Sequence, residues 1–79
     1  MSRLRPLHWK RLICVFEHDG FTFRKRSRGG TSHWVGEKPG VARPVIVPEY
    51  DEVGLDIITA NMRTAGMSRE RLLELLAHC

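Results

Sequence analysis

A single histidine, His33, follows a basic run in the stretch FRKRSRGGTSHWV, residues 23–35. Arg24, Lys25, Arg26 and Arg28 place four cations within five residues, and Gly29, Gly30, Thr31 and Ser32 separate them from the imidazole. An imidazole with an ordinary pKa of about 6.5 takes or gives a proton near neutrality. Guanidinium groups hold phosphate through a planar fork, and glycine lets backbone amides approach an anion closely. These types in this order suit proton transfer at a phosphate ester. Alternation narrows the set, because successive side chains of an extended chain point to opposite faces. Lys25 therefore cannot share a face with Arg24 and Arg26. His33 is the candidate for proton transfer, the alternative being an ordinary strand-surface histidine. Arg24, Arg26, Arg28, Gly29, Gly30 and Ser32 are the candidates for binding the anion, the alternative being a solvated strand face and its turn.

The flanking segments supply the elements that must hold these residues. In LHWKRLICVFEHDG, Trp9, Leu12, Ile13 and Phe16 recur at i, i+3, i+4 and i+7, one face of a helix that Gly20 ends. FTFRKRS alternates as a strand, SHWV reads as a second, and ARPVIVP, rich in β-branched residues, as a third. Pro44 cannot donate to a ladder and belongs at a strand start or on an edge. The breakers between them, Gly29-Gly30 and GEKPG, make short connections and hence an antiparallel meander. LDIITANMRTAG then puts Leu55, Ile58, Met62 and Ala65 on one helical face, and Ser68 opens a last short helix, RERLLELLA. The order α-β-β-β-α-α predicts an α+β fold over a single domain, residues 1–79. A three-stranded sheet would carry helices on one face and leave the other open. In outline this resembles the double-stranded-RNA-binding domain. Trp9, Phe16, Phe21 and Phe23 are expected in the core, and Trp34 either there or exposed as a stacking platform.

Composition limits what such a fold can hold. A chain of 79 residues with 42% hydrophobic content is globular, yet it buries only about 60% of its unfolded surface, so a site should be shallow and open. Charge is unevenly laid out. Residues 1–30 carry eight cations against two acids, and residues 49–79 three cations against six acids, within a net charge of +4. A basic half suggests a polyanionic partner. No apolar run nears the roughly 20 residues of a membrane span, and MSRLRPLHWK lacks the apolar stretch of a secretory signal. A cytoplasmic protein without membrane contact is expected. Cys14 and Cys79 form no disulfide framework or paired zinc motif by their spacing. Cys14 and His18, four apart, are two ligands where a structural zinc site takes four, so neither a metal nor any other cofactor is expected.

Four segments in order resemble the HicA-type mRNA interferases, toxins of bacterial HicA–HicB toxin–antitoxin modules. They are a first helix ending in EHDGF, a basic strand running into GGTSH, a strand VIVP, and a closing MRTAGMSRERLLELL. Together they span roughly residues 4 to 76. The most specific pieces are the Gly-(x)-Ser-His turn and the Arg-x-Ala-Gly-x-Ser junction. The chain departs from the pattern where Thr31 is inserted before Ser32, where His8-Trp9 replaces a serine or glycine opening the first helix, and where Trp34 and Val35 follow the histidine.

The resemblance implies a fold like the double-stranded-RNA-binding domain and an endoribonuclease that cleaves mRNA, with His33 as general acid or base. It also implies neutralisation by a HicB-type antitoxin, the chain being monomeric when free and part of a hetero-oligomer when bound. RNA brings its own nucleophile, the 2′-hydroxyl, so such an enzyme has only protons and phosphoryl charge to manage. The arginine strand can bear that charge without a metal. A second proton-transfer group is not evident; His18 and Tyr50 qualify on chemistry alone, and His8, His18 and His78 otherwise read as surface or helix-end residues. The alternative is a non-catalytic RNA-binding or antitoxin-docking module of the same fold.

Overall fold

Helix α1 spans Trp9–His18 in a computed structural model that describes residues 3–79, with only the backbone described at Arg28 and Thr31. Its N-cap is an unusual one. The Nδ1 of His8 accepts the backbone N–H of Lys10 at 3.1 Å, the task more often done by serine or aspartate. Leu12, Ile13, Val15 and Phe16 are buried along one side. Trp9, on the expected apolar face, is only partly buried and stacks on Trp34, ring centres 5.8 Å apart.

The chain then builds a three-stranded antiparallel sheet in the order β1-β2-β3, from β1 (Thr22–Arg28), β2 (Thr31–Glu37) and β3 (Val45–Pro48). Gly29 and Gly30 join β1 to β2 with φ of 61° and 82°. Two successive positive φ values belong to the two-residue hairpin turn that matches strand twist, and glycine adopts them without strain. The register pairs Arg24 with Val35, Lys25 with Trp34 and Arg26 with His33. Ser32 and His33 thus lie inside β2 rather than in a turn, and β2 runs longer at both ends than SHWV. β3 begins only at Val45, since Pro44 donates no hydrogen bond and restricts the residue before it.

The pleat sorts the two faces. Phe23, Lys25, Trp34, Val45 and Val47 share the face toward α1, where Val45 and Val47 are fully buried. Gly36 sits on that face beneath the Phe23 ring. A Cβ there would meet the ring at 2.5 Å and a Val45 methyl at 2.9 Å, so only glycine fits. Phe16 meets Phe21 edge-on at 5.4 Å. Arg24, Arg26, His33, Val35, Ile46 and Pro48 belong to the opposite face.

Helix α2 (Leu55–Ala65) runs beside β3, sending Ile58 and Met62 into the core. Its Asn61, buried, satisfies the outer edge of β3. Oδ1 accepts the N–H of Ile46 at 3.3 Å and Nδ2 donates to the Ile46 carbonyl at 2.9 Å. An edge strand left bare is a template for unwanted pairing, and this side chain closes it. Helix α3 (Arg69–Leu76), capped by Ser68, buries Leu72 and Leu75 and packs on α1. Asp19, at the end of α1, accepts from Lys38 at 3.4 Å and from Arg71 at 3.3 Å, tying the β2–β3 loop, α1 and α3 together.

The reading that gives the two cysteines no role is corrected by this packing. Cys14 on α1 pairs with Cys79, past α3, as a disulfide with Cα atoms 6.0 Å apart. Spacing in sequence could not show it, because the return of α3 onto α1 closes a separation of 65 residues. Among the described residues no helix is long and apolar enough to cross a membrane.

Candidate nucleic-acid interface

His33 stands near the middle of the open sheet face, where strand alternation and the Arg26–His33 pairing put guanidinium and imidazole side by side. Side chains directly opposite on neighbouring strands start about 5 Å apart. The His33 side chain is half-buried and makes no hydrogen bond or ion pair with the described residues. Arg26 is exposed and likewise unpaired among them. Both polar groups are available to an incoming ligand.

Two shallow hollows meet at His33. One, of about 420 Å³, is lined by Arg26, Ser27, His33, Val35 and Ile46, with Val35 buried. The other, of about 330 Å³, lies between β3 and α2 and is lined by His33, Ile46, Pro48, Tyr50, Asp56, Ile57, Ala60 and Asn61. The first has a cationic rim and the second is mostly apolar, closed by a phenol and a carboxylate. An extended polyanion with flat apolar groups can place its charge in one and a ring in the other, with the imidazole between them.

The other expected residues are distributed as follows. Arg24 shares the face but is held by Glu37 at 3.1 Å, both side chains being exposed. Such a pair contributes little and can open to a stronger anion. The side chain of Arg28 lies outside the described residues; its backbone closes the hairpin opposite Thr31. Gly29 and Gly30 form the hairpin tip, about 10 Å along the strand from His33 at roughly 3.3 Å per residue, so their amides suit a neighbouring phosphate rather than the group beside the imidazole. Ser32 faces the other way, its hydroxyl 3.3 Å from that of Ser27. It does not touch His33. Lys25 is set aside as expected, on the α1 side and 3.5 Å from Glu49.

Trp34 is also turned from the open face. Its Nε1 donates to Glu49 at 2.7 Å and its ring stacks on Trp9, which makes it a packing residue rather than a platform. Of the two groups named on chemistry alone, Tyr50 reaches the His33 cleft and is 48% exposed, whereas His18 lies at the end of α1 with its ring 6.1 Å from that of His78. Tyr50 is placed by its own backbone, since the carbonyl accepts the N–H of Trp9 at 3.1 Å and its N–H donates to the Pro48 carbonyl at 2.8 Å.

Ile46, Pro48 and Asp56 were not singled out from sequence. Ile46 was findable, because between buried Val45 and Val47 an isoleucine on a strand must face outward. Asp56 carries no local signal; only the packing of α2 beside β3 brings it to His33.

Compared with known proteins, the chain matches no family model, no curated protein and no solved structure.

Proposed function

We propose that this protein is the toxin of a HicA–HicB type toxin–antitoxin module, an endoribonuclease that cleaves mRNA through His33 on a sheet like that of the double-stranded-RNA-binding domain. The observation that carries the reading is the side-by-side placement, on an open sheet face, of His33 and Arg26 side chains that have no partner among the described residues. The resemblance of the sequence segments supplies the rest, including a HicB-type partner, and the setting we propose is cytoplasmic.

The chemistry follows from that pair. The neutral imidazole accepts the proton of the ribose 2′-hydroxyl, whose oxygen attacks the adjacent phosphorus. Arg26 takes up charge on the phosphoryl oxygens, with Arg24 joining when its contact with Glu37 opens. The protonated imidazole then gives its proton to the departing 5′-oxygen. The products are a 2′,3′-cyclic phosphate and a free 5′-hydroxyl. Proton transfer of this kind is worth about 10²–10⁴ in rate, so a single histidine makes a modest enzyme. The ring of Tyr50 and the faces of Ile46 and Pro48 receive a base flanking the cleaved bond. An antitoxin that places an acidic side chain between Arg26 and His33 would compete with the phosphate at both.

Induced expression tests the proposal. Wild type should arrest growth and degrade total RNA, while His33→Ala should do neither at equal soluble level. A toxic His33→Ala removes the residue from the chemistry. A folded, harmless wild type that binds RNA favours the non-catalytic binding module instead.

A further inference from the structure

The end of α1 and the segment after α3 gather four metal-binding side chains that the RNA reading does not use. Cys14 and His18 lie one turn apart on α1, and the i, i+4 spacing points both the same way. Cys79 reaches them from the far end of the chain, and the ligand atoms of Cys14, His18 and Cys79 all lie within 4.8 Å of one another. His78, next to Cys79, holds its ring 6.1 Å from that of His18. The backbone N–H groups of His78 and Cys79 donate to Leu75 and Leu76 at 3.0 Å each, so this segment is anchored on α3.

We propose that, with both thiols reduced, the protein holds a zinc ion between Cys14, His18, Cys79 and His78, a structural site that pins the end of α3 to α1. The set is two thiolates and two imidazoles, a composition that suits four-coordinate zinc. Neighbouring ligand atoms around a tetrahedral zinc lie about 3.5 Å apart, and two bound imidazoles hold their ring centres about 5 Å apart. The two rings must therefore close by about an ångström, the reduced sulfurs must part, and the His78 ring must turn in toward the Cys14–His18–Cys79 cluster. A disulfide accounts for the two sulfurs alone. It gives no reason for an imidazole beside both of them and a second beside the first. Zinc uptake displaces one proton from each thiol, and the bound metal replaces the same cross-link that the disulfide makes. A chain of this size has a small core and gains from such a staple. The site lies on the α1–α3 side of the sheet, and His33 on the opposite face, so it stands apart from the proposed cleavage chemistry.

The test uses the full chain reduced with a phosphine and freed of metal, titrated with cobalt(II) as an optical probe and then with zinc. The expected result is one cobalt per chain with thiolate-to-metal charge-transfer and tetrahedral ligand-field absorption, displaced by one equivalent of zinc with release of two protons. Cys79→Ser should abolish the charge-transfer pattern of two thiolates. His18→Asn and His78→Asn, both at exposed positions, should fold and each weaken zinc binding by at least about tenfold. His33→Gln should bind zinc as wild type does. A folded, reduced wild type that takes up no cobalt overturns the proposal. Unchanged zinc affinity in either histidine variant overturns it as well, since that imidazole would then not be a ligand.

Discussion

Replacing Asn61 with alanine removes the side chain that satisfies the outer edge of β3 at Ile46. Two hydrogen bonds to Ile46 are lost, one at 3.3 Å and one at 2.9 Å. Each contributes about 0.5–1.5 kcal/mol net, and a partly buried amide or carbonyl left without a partner adds about 1–3 kcal/mol. Water can reach part of this edge, so the combined cost is about 2–4 kcal/mol. A chain of 79 residues has a total stability of about 4–12 kcal/mol, so about a sixth of it at the least is at stake. At about 6 °C per kcal/mol for a domain of this length, the melting temperature should fall by about 12–24 °C. Thermal melts followed by far-ultraviolet circular dichroism would read it. Asn61→Asp sharpens the test. Its ionised carboxylate keeps an acceptor for the Ile46 N–H but faces the Ile46 carbonyl with a second acceptor. Protonation restores a donor, so the folded state favours the protonated acid and raises its pKa. Its contribution is then present at low pH and lost as pH rises through that folded-state value, and the deficit of Asn61→Asp relative to wild type should shrink on acidification. A melting temperature within about 3 °C of wild type for Asn61→Ala would refute the argument and assign the closing of that edge to solvent.

Further outcomes follow from the same geometry. Arg26→Ala should weaken RNA binding and lower the log–log salt slope by about one, whereas Lys25→Ala, on the α1 side of the sheet, should leave both unchanged; fluorescence anisotropy across a salt series separates them. Tyr50→Ala should cost about 1–3 kcal/mol of RNA affinity by removing a stacking surface, while Tyr50→Phe should bind as wild type does, measured by the same anisotropy titration. Gly36→Ala should destabilise by about 1–3 kcal/mol in urea unfolding, because the added methyl must displace the Phe23 ring and a Val45 methyl.

Much of the frame was legible because it rests on local periodicity. The α1 stripe, the alternation through FTFRKRS, the paired glycines and the Ser68 cap each act within a few residues, and each is found at its expected place. The same alternation separated Arg24 and Arg26 from Lys25 before any contact was known. What escaped were the long-range juxtapositions. Trp34 pairs with Glu49 and Trp9, Asp56 and Tyr50 arrive at His33, and Cys79 meets Cys14, all because whole elements pack against one another. No pattern within one segment encodes these meetings. His8 lies at a helix end as expected, but its capping bond is hidden from sequence for a different reason, since imidazole is an uncommon acceptor at that position and the preference is for serine or aspartate. Ser32 enters the candidate set through the Gly-(x)-Ser-His motif, although neighbours in a strand point their side chains to opposite faces.

Cleavage of a synthetic single-stranded RNA by the purified chain, wild type beside His33→Gln, tests the central claim most directly, with fragment ends identified by mass spectrometry. Wild type should yield fragments ending in 2′,3′-cyclic phosphate and beginning with 5′-hydroxyl. His33→Gln should bind the RNA equally well and cleave it about 10²–10⁴ more slowly. Equal cleavage by both proteins, or RNA binding by a folded wild type that forms no product, would contradict it.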